Sequence, residues 1–385
     1  MVKKICVVTG TRAEFGLLSH LMHLLNDDSD FELQIIATGM HLSPEFGYTY
    51  DDIINEGFKV DKKIEILLSS DTSVGVSKSM GLAQISFAEA YDELKPDLIL
   101  VLGDRYEIFS AVSSAMTARI PIAHLNGGER TEGAIDESIR HAISKMSHLH
   151  FTATEEYRNR VIQMGENPDR VFNVGEVGLD NIFLKKLYTK HEFEKSIDFK
   201  LDKKVILATF HPVTLERGEA EKQFRELLLA FDELKDTTII ITHSNSDMEG
   251  RVIIDMIKDY VAKNQHKAIS FPSLGYHRYL SALQYVDVVV GNSSSGIVEA
   301  PSFKVATINI GNRQKGRIQA NSVINCEPIK DNILKSFEIA FSQEFKAKLQ
   351  NVENPYGCGG SSDALIKVLK KTDFNALLHK VFYDL

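Results

Sequence analysis

The densest group of reactive side chains lies between residues 124 and 141, directly after the apolar segment IPIA, which is typical of a buried strand. Carboxylates that share one cleft raise each other's pKa values, and a raised pKa suits a group that removes or returns a proton at a carbon atom. We therefore predict that this stretch supplies a catalytic acid and base. Its polar residues are His124, Asn126, Glu129, Glu132, Asp136, Glu137, Arg140 and His141.

A structural interpretation explains part of the same stretch. The segment IDESIRHAISKM has the period of an amphipathic helix, in which Glu137 favours the positive N-terminal end and Arg140 pairs outward. This explains Glu137 and Lys145 but explains Asp136 less well. A metal site is a weaker prediction because the spacing matches neither HExxH nor DxD, and we predict no cofactor. Its ligands would be His124, Glu129, Asp136 and His141.

Two more polar groups follow predicted strands in the first half. In DLILVLGDRYE, Asp104 comes directly after a buried strand and is a candidate acid or base, although an aspartate there is as often a helix N-cap. In TGTRAEFG, Arg12 lies at the start of a helix, which favours an anion site; the alternative is a surface pair between Arg12 and Glu14. The first strand is not followed by GxGxxG and the chain has no GxxxxGK[ST], which counts against nicotinamide cofactors and kinase-type use of ATP.

The second half carries a group of motifs typical of nucleotide binding. His211 comes directly after the strand KVILATF, a position that suits a proton donor or a phosphate contact. The loop from Gly291 to Gly296 is predicted to open a helix, so that its serine hydroxyls and backbone amides can hold a diphosphate. Glu299 within that helix can accept both hydroxyls of a ribose, and Arg313 can neutralise phosphate charge. A serine-capped helix is the structural alternative, and it explains only one of these residues.

The elements that must position these residues are alternating strands and helices. Near-continuous apolar strands followed by helical patterns predict an α/β fold with parallel sheets covered on both faces. The pattern restarts near residue 190 after a lysine-rich segment. We predict an N-terminal Rossmann-like domain over 1–185, a second one over 186–365, and a C-terminal helix over 366–385 that packs back on the first. Polar motifs at the ends of strands would then meet in a cleft between the domains.

Composition limits the remaining possibilities. The chain has 385 residues, of which 44 are Lys or Arg and 53 are Asp or Glu, giving a formal net charge of −9. This balance gives no general attraction to nucleic acid. Three widely spaced cysteines form neither a disulfide framework nor a paired zinc motif, and no window reaches the ~20 apolar residues of a membrane helix. We expect a cytoplasmic protein with no nucleic-acid or membrane partner.

Seven segments, in this order, resemble the UDP-N-acetylglucosamine 2-epimerase family, most closely its hydrolysing branch in the sialic-acid pathway. They are TGTRAE, GDRYE, HLNGGE with IDESIRHA, FHPVT, GNSSSGIVEA, GNRQKGR and NPYG. The resemblance implies a GT-B-like fold with the active site between two Rossmann-like domains, and a homodimer or homotetramer. It also implies conversion of UDP-GlcNAc and water to UDP and N-acetylmannosamine, by loss of UDP to a 2-acetamidoglucal and then hydration.

The resemblance assigns roles to individual positions. The implied catalytic residues are Asp104, Asp136 and His211, with Glu129 as an addition. The implied nucleotide contacts are Arg12, Ser293, Ser294, Glu299 and Arg313. We predict Arg105, Asn126 and Gly296 as further substrate or UDP contacts. One departure concerns Asn126, where the non-hydrolysing branch and some hydrolysing relatives have a glutamate. A neutral amide bonds to a sugar but takes up no proton at neutral pH, so Glu129, or Asp104 and Asp136 alone, must transfer protons.

Several functions remain open at this point. The same chemistry could act on UDP-N,N'-diacetylbacillosamine, because the sequence does not reveal the pocket at C4 and C6 of the sugar. A non-hydrolysing epimerase would release a nucleotide sugar instead of a free sugar, and a glycosyltransferase would need a separate acceptor. A non-catalytic UDP-sugar-binding regulator would have lost the proton-transfer groups that this chain retains.

Overall fold

The computed structural model describes residues 2–70, 72–132, 134–213, 216, 218–244 and 250–385. These residues form two compact units. Unit 1 contains Met1–Glu129, Asp136–Leu184 and Tyr356–Leu385, and unit 2 contains Arg130–Ile135 and Lys185–Pro355. The domain bounds drawn from the sequence alone stay predictions.

Unit 1 is built on a seven-stranded parallel sheet with the order β3-β2-β1-β4-β5-β6-β7. Its strands are β1 (Lys3–Thr9), β2 (Phe31–Thr38), β3 (Lys62–Ile64), β4 (Leu98–Leu102), β5 (Ile122–Leu125), β6 (Leu149–Thr152) and β7 (Val171–Asn173). Its first helices are α1 (Arg12–Asp27), α2 (Tyr50–Asn55), α3 (Ser73–Leu94), α4 (Tyr106–Thr117), α5 (Asp136–Met146), α6 (Glu155–Gln163) and α7 (Asp180–Leu184). Strand β4, LILVL, is buried along its whole length, as expected for a parallel strand covered on both faces.

Unit 2 repeats the architecture with a six-stranded parallel sheet in the order β10-β9-β8-β11-β12-β13. Its strands are β8 (Lys204–Thr209), β9 (Thr237–Thr242), β10 (Ala268–Phe271), β11 (Val288–Gly291), β12 (Ala306–Ile310) and β13 (Val323–Cys326). Its helices are α8 (Lys190–Ile197), α9 (Ala220–Asp232), α10 (Gly250–Lys263), α11 (Tyr276–Leu283), α12 (Ser295–Val298), α13 (Lys330–Phe341) and α14 (Gln343–Leu349).

The chain ends with two helices that belong to unit 1, α15 (Ser361–Lys371) and α16 (Phe374–Leu377). Leu365 and Leu369 of α15 are fully buried in the same apolar core as Leu18 and Leu21 of α1. The amino group of Lys3 donates hydrogen bonds to carbonyl oxygens near the end of α15 and just beyond it. No helix among the described residues is long and apolar enough to cross a membrane.

The strand order decides where a site can form in each unit. The order reverses between β1 and β4 in unit 1 and between β8 and β11 in unit 2. In doubly wound sheets the loops at such a switch point diverge to opposite faces and leave a crevice at the carboxyl ends of the strands. The prediction of two Rossmann-like α/β domains is confirmed. Arg12 and Asp104 follow the two switch-point strands of unit 1, and His211 and Ser293 follow those of unit 2.

Candidate active site

The turn after β1 is held by a capping box at the start of α1. Thr11 is the N-cap, and the carboxylate of Glu14 accepts hydrogen bonds from the backbone amides of Gly10, at 2.7 Å, and Thr11, at 3.2 Å. Glu14 is 6% exposed, so it is a buried structural carboxyl group rather than part of a surface turn. The capping box fixes the backbone from which Arg12 projects. The role of Arg12 as an anion contact stays a prediction.

A second buried carboxylate lies beside this turn. Glu107, in the first turn of α4, is 1% exposed and packs against Gly10, where an added Cβ would lie 2.6 Å from its Cγ. Arg105 donates from Nε to Glu107 at 2.7 Å. Burial raises the pKa of Glu14 to about 8, and the negative charge of Glu107 contributes to the rise. Arg105 therefore balances charge at the switch point of unit 1, and its contact with the substrate stays a prediction.

Arg140 of α5 organises the predicted catalytic carboxylates. Its side chain is 1% exposed and forms an ion pair with Asp104, whose side chain is 21% exposed. The same guanidinium donates to the backbone carbonyl of Glu129 at 3.0 Å and to the carboxylate of Glu137 at 3.2 Å. The prediction that Arg140 pairs outward is wrong, because acceptors from three parts of the chain compensate its burial. Asp104 is not a helix N-cap either, since Arg105 takes that position before α4.

The remaining predicted residues of unit 1 differ in exposure. Asp136 is half-exposed and is the first residue of α5, whereas Glu129 is 2% exposed. Asn126 is half-exposed after β5, and its amide nitrogen donates to Glu176 at 2.7 Å. His124 lies within β5 and is fully buried between the hydroxyl of Ser144 and the carbonyl of Gly103. Burial lowers the pKa of His124 to about 3, so it is a neutral structural residue.

In unit 2, Asn292 joins the two strands of the switch point. Its carboxamide accepts a hydrogen bond from the backbone amide of His211 at 2.7 Å and donates one to the carbonyl of the same residue at 2.8 Å. Asn292 is fully buried, and its own carbonyl accepts hydrogen bonds from Arg313, at 3.0 Å, and Gln314, at 2.9 Å. One asparagine therefore fixes the backbone at His211 and the side chain of Arg313.

The serine loop after β11 begins at a glycine that no other residue can replace. Gly291 has φ +129°, and a Cβ there would lie 1.9 Å from the carbonyl oxygen of Thr209. Gly296 is packed against Thr307, whose hydroxyl donates to its carbonyl at 2.7 Å. The hydroxyl of Ser293 accepts a hydrogen bond from the amide of Ser295 at 3.4 Å. Ser293 and Ser294 are half-exposed, as a diphosphate contact requires.

The helix after this loop is shorter than predicted. Helix α12 ends at Val298, and a 3₁₀ turn over Ala300–Phe303 follows, so the prediction that Glu299 lies within the helix is wrong. Pro301 explains the difference because it has no N–H to donate to Ile297 and its ring opposes a continuing α-helix. Glu299 is 7% exposed, and burial raises its pKa to about 6 against the lowering effects of Ser295 and Arg317.

Sequence reasoning missed three residues that hold the others in place. Arg140 and Asn292 lie within the quoted motifs, but the contacts that define them join segments far apart in the chain. Glu176, 2% exposed in a turn after β7, was not considered at all. Residue type was the only signal available in the sequence. An arginine, asparagine or glutamate next to apolar strands must have hydrogen-bond partners if it is buried.

The amino-acid sequence is similar to proteins of a known enzyme family. The sequence profile of the family described as UDP-N-acetylglucosamine 2-epimerase matches residues 23–370. The chain belongs to the UDP-N-acetylglucosamine 2-epimerase family. It is 47% identical, over 100% of its length and 99% of the relative, to the "GDP/UDP-N,N'-diacetylbacillosamine 2-epimerase (hydrolyzing)" of Campylobacter jejuni.

Two further relatives of the epimerase family cover the chain equally well. The polysialic acid biosynthesis protein P7 of Escherichia coli is 38% identical over 100% of this chain and 97% of the relative. A UDP-N-acetylglucosamine 2-epimerase of Neisseria meningitidis is 31% identical over all of both chains.

Solved epimerase structures have the same fold. The UDP-GlcNAc 2-epimerase of Neisseria meningitidis, crystallised with UDP-GlcNAc, has a TM-score of 0.82 at 22% identity and covers 96% of this chain and 100% of its own. The enzyme of Methanocaldococcus jannaschii, in complex with UDP-GlcNAc and UDP, has a TM-score of 0.79 at 20% identity with the same coverage. The GT-B-like fold class expected for an epimerase-family member is confirmed.

Proposed function

We propose that this chain is a hydrolysing 2-epimerase that acts on a UDP-activated 2-acetamido sugar. The observation that carries the proposal is the 47% identity, over the whole chain, to a protein named as a hydrolysing 2-epimerase. The buried ion pair of Arg140 with Asp104 and the asparagine that joins His211 to Arg313 supply a physical basis for it. The expected products are UDP and the free sugar with inverted configuration at C2.

The proposed chemistry has two steps. In the first, a carboxylate takes the hydrogen at C2 as a proton, the electron pair forms a C1–C2 double bond, and the C1–O bond to UDP breaks. In the second, water adds its oxygen to C1, and C2 receives a proton on the opposite face. One water is consumed, and the oxidation state of the sugar is unchanged overall. The first step requires a base and a stabilised leaving group, and the second requires an acid.

The carboxylates of unit 1 divide these tasks by their surroundings. Asp104 is oriented by its ion pair with Arg140, which suits it to position the sugar or the water. Asp136 is half-exposed at the start of α5, and we assign it the removal of the C2 proton. Glu129 is the candidate acid of the second step because it is buried in the loop after β5, where its carbonyl oxygen accepts a hydrogen bond from Arg140.

The motifs of unit 2 are assigned to UDP. His211 and Arg313 meet the negative charge that develops on the leaving diphosphate, with the hydroxyls of Ser293 and Ser294 as further donors. Glu299 accepts the ribose hydroxyls. Asn292 holds His211 and Arg313 next to each other, since its side chain binds the backbone of His211 and its carbonyl accepts a hydrogen bond from Arg313. In unit 1, Arg12 is assigned an additional phosphate contact.

The sugar is proposed to be the 2,4-diacetamido compound UDP-N,N'-diacetylbacillosamine. Relatives at 47% and 37% identity carry this substrate in their names. UDP-GlcNAc, which the sequence analysis placed first, becomes the second candidate, favoured by the relative at 31% identity that is named for it. Free N-acetylmannosamine would be the product in that case.

A direct comparison of the two sugars tests the proposal. Purified protein is incubated with each compound, and UDP and free sugar are quantified by anion-exchange chromatography. We expect stoichiometric release of both products and a higher kcat/KM for the diacetamido compound. Asp136→Asn should abolish turnover and leave UDP affinity unchanged, whereas Asp363→Asn, on the solvent side of α15, should change neither. A nucleotide-sugar product, or turnover by Asp136→Asn, would contradict the proposal.

A further inference from the structure

The side chain of Asn126 has one fixed orientation. Its Nδ2 donates to Oε2 of Glu176 at 2.7 Å, and Oε1 of Glu176 accepts the amide of Gly178 at 3.2 Å. A carboxylate has acceptors and no donor, so the nitrogen of the carboxamide must face Glu176 and the oxygen must face away from it. Glu176 is 2% exposed, so water does not compete for its carboxylate and the contact with Asn126 is retained.

The oxygen of Asn126 is left available to an outside donor. No described residue donates a hydrogen bond to its Oδ1, and the residue is half-exposed at the carboxyl end of β5. The backbone there has φ +63°, a left-handed conformation that asparagine tolerates better than most residues, and its amide donates to Phe151 at 2.9 Å. Backbone and side chain are therefore both fixed, and Oδ1 of the residue is held in place as an acceptor.

We propose that Asn126, oriented by Glu176, accepts the N–H of the 2-acetamido group of the substrate. An acetamido nitrogen donates and does not accept, so an acceptor of fixed orientation is its complement, whereas a freely rotating amide would serve a donor or an acceptor equally. Asn126 is then a substrate-binding residue and Glu176 a positioning residue. The inference rests on the proposed function because it assumes a UDP-linked 2-acetamido sugar.

A ligand pair and two variants isolate this hydrogen bond. The ligands are the sugar nucleotide that the wild-type protein turns over and its 2-acetonyl counterpart, in which CH₂ replaces N–H. Asn126→Gly removes the side chain and suits the positive φ. Glu176→Gln keeps the acceptor for Gly178 but places an NH₂ group opposite Asn126, so the Asn126 carboxamide must reverse and present its own NH₂ outward.

The wild-type protein should bind the acetamido ligand about 3- to 10-fold more tightly than the acetonyl ligand, the range of one neutral hydrogen bond. This ratio should fall to about one in both variants, and UDP alone should bind all three proteins equally. A ratio near one in the wild type, or an unchanged ratio in both variants, would overturn the inference.

Two other outcomes separate this inference from neighbouring possibilities. If Glu176→Gln lowers kcat by orders of magnitude and keeps the ligand ratio, Glu176 transfers a proton and the positioning role is wrong. If the wild-type protein neither binds nor hydrolyses a UDP-linked 2-acetamido sugar, the proposed function itself fails. Hydrolysis with an unchanged ratio removes only the role of Asn126 and Glu176.

Discussion

The guanidinium of Arg140, which is 1% exposed, forms an ion pair with Asp104. The two residues come from α5 and from the loop after β4, so this contact fixes the helix that starts at Asp136 to the end of a neighbouring strand. A third bond, to the carbonyl of Glu129 at 3.0 Å, includes the loop after β5. The positions of all three proposed catalytic carboxylates in unit 1 therefore depend on one arginine.

Replacement of Arg140 by methionine should damage both stability and activity. The substitution leaves the carboxylate of Asp104 without its cation, and loss of one partner of a buried pair costs about 3 kcal/mol. Urea unfolding measures the free-energy change, and steady-state kinetics should detect a kcat reduced at least about 100-fold, as for misplaced catalytic groups. Arg225→Met is the matched control because it breaks an exposed pair with Glu221 and should cost less than about 0.5 kcal/mol. Equal losses in the two variants would refute the special role of Arg140.

Replacement of Asn292 by aspartate should weaken UDP binding. The new carboxylate still accepts a hydrogen bond from the amide of His211, but its second oxygen faces the carbonyl oxygen of the same residue. Two acceptors repel each other, so the loop no longer holds its position beside His211. We expect Kd for UDP to rise about 10-fold, which corresponds to one charged-group mismatch. Calorimetric titration measures it. Asn264→Asp, which removes a similar amide-to-carbonyl bond directly after α10, should leave Kd unchanged; a parallel rise there would indicate a general loss of stability.

The affinity for UDP should depend on the ionisation of Glu299. Its pKa is raised to about 6, and only the carboxylate form accepts two ribose hydroxyls. Binding should therefore weaken as the pH falls through about 6 and approach a constant value above it. UDP changes its own charge in this range, so the difference in pH profile between the wild type and Glu299→Gln is the quantity to measure. Identical profiles would exclude Glu299 from the ribose contact.

The stability of the protein should fall with rising pH because of Glu14. Its pKa is about 8 in the folded protein against 4.5 in a model compound, so the folded state holds a proton that the unfolded state has released. The loss in the free energy of unfolding is absent below pH 4.5 and complete above about pH 8. Glu14→Gln removes it, and the stability gained over the wild type should grow across this interval. Chemical unfolding at several pH values is the test, with Glu89→Gln, at an exposed position, as the control.

The sequence predicted the sheets and the segments at their ends well, because both follow from local pattern. The apolar run of β4 is recognisable without any partner, and parallel order places Asp104 and Arg12 at one edge. The sequence could not reveal that the side chain of Arg140 points into the protein. Helical periodicity assigns an arginine to the solvent face, and only acceptors from other segments reverse that assignment.

The remaining differences also come from contacts beyond the local pattern. Asn292 lies inside the loop that the sequence predicts to hold a diphosphate, but its bonds to His211 span 81 positions of sequence. The orientation of Asn126 depends on Glu176, 50 positions away. The end of the helix before Glu299 is the exception, since Pro301 is a local signal in the sequence that our prediction did not use.

The most direct test of the central claim is proton NMR of the reaction in D₂O, with the diacetamido UDP-sugar as substrate and its C1 and C2 positions followed over time. The proposed elimination and hydration predict free sugar with inverted C2 that carries deuterium there, together with one equivalent of UDP. A free sugar that retains its C2 proton, or a product that is still attached to UDP, would contradict the account.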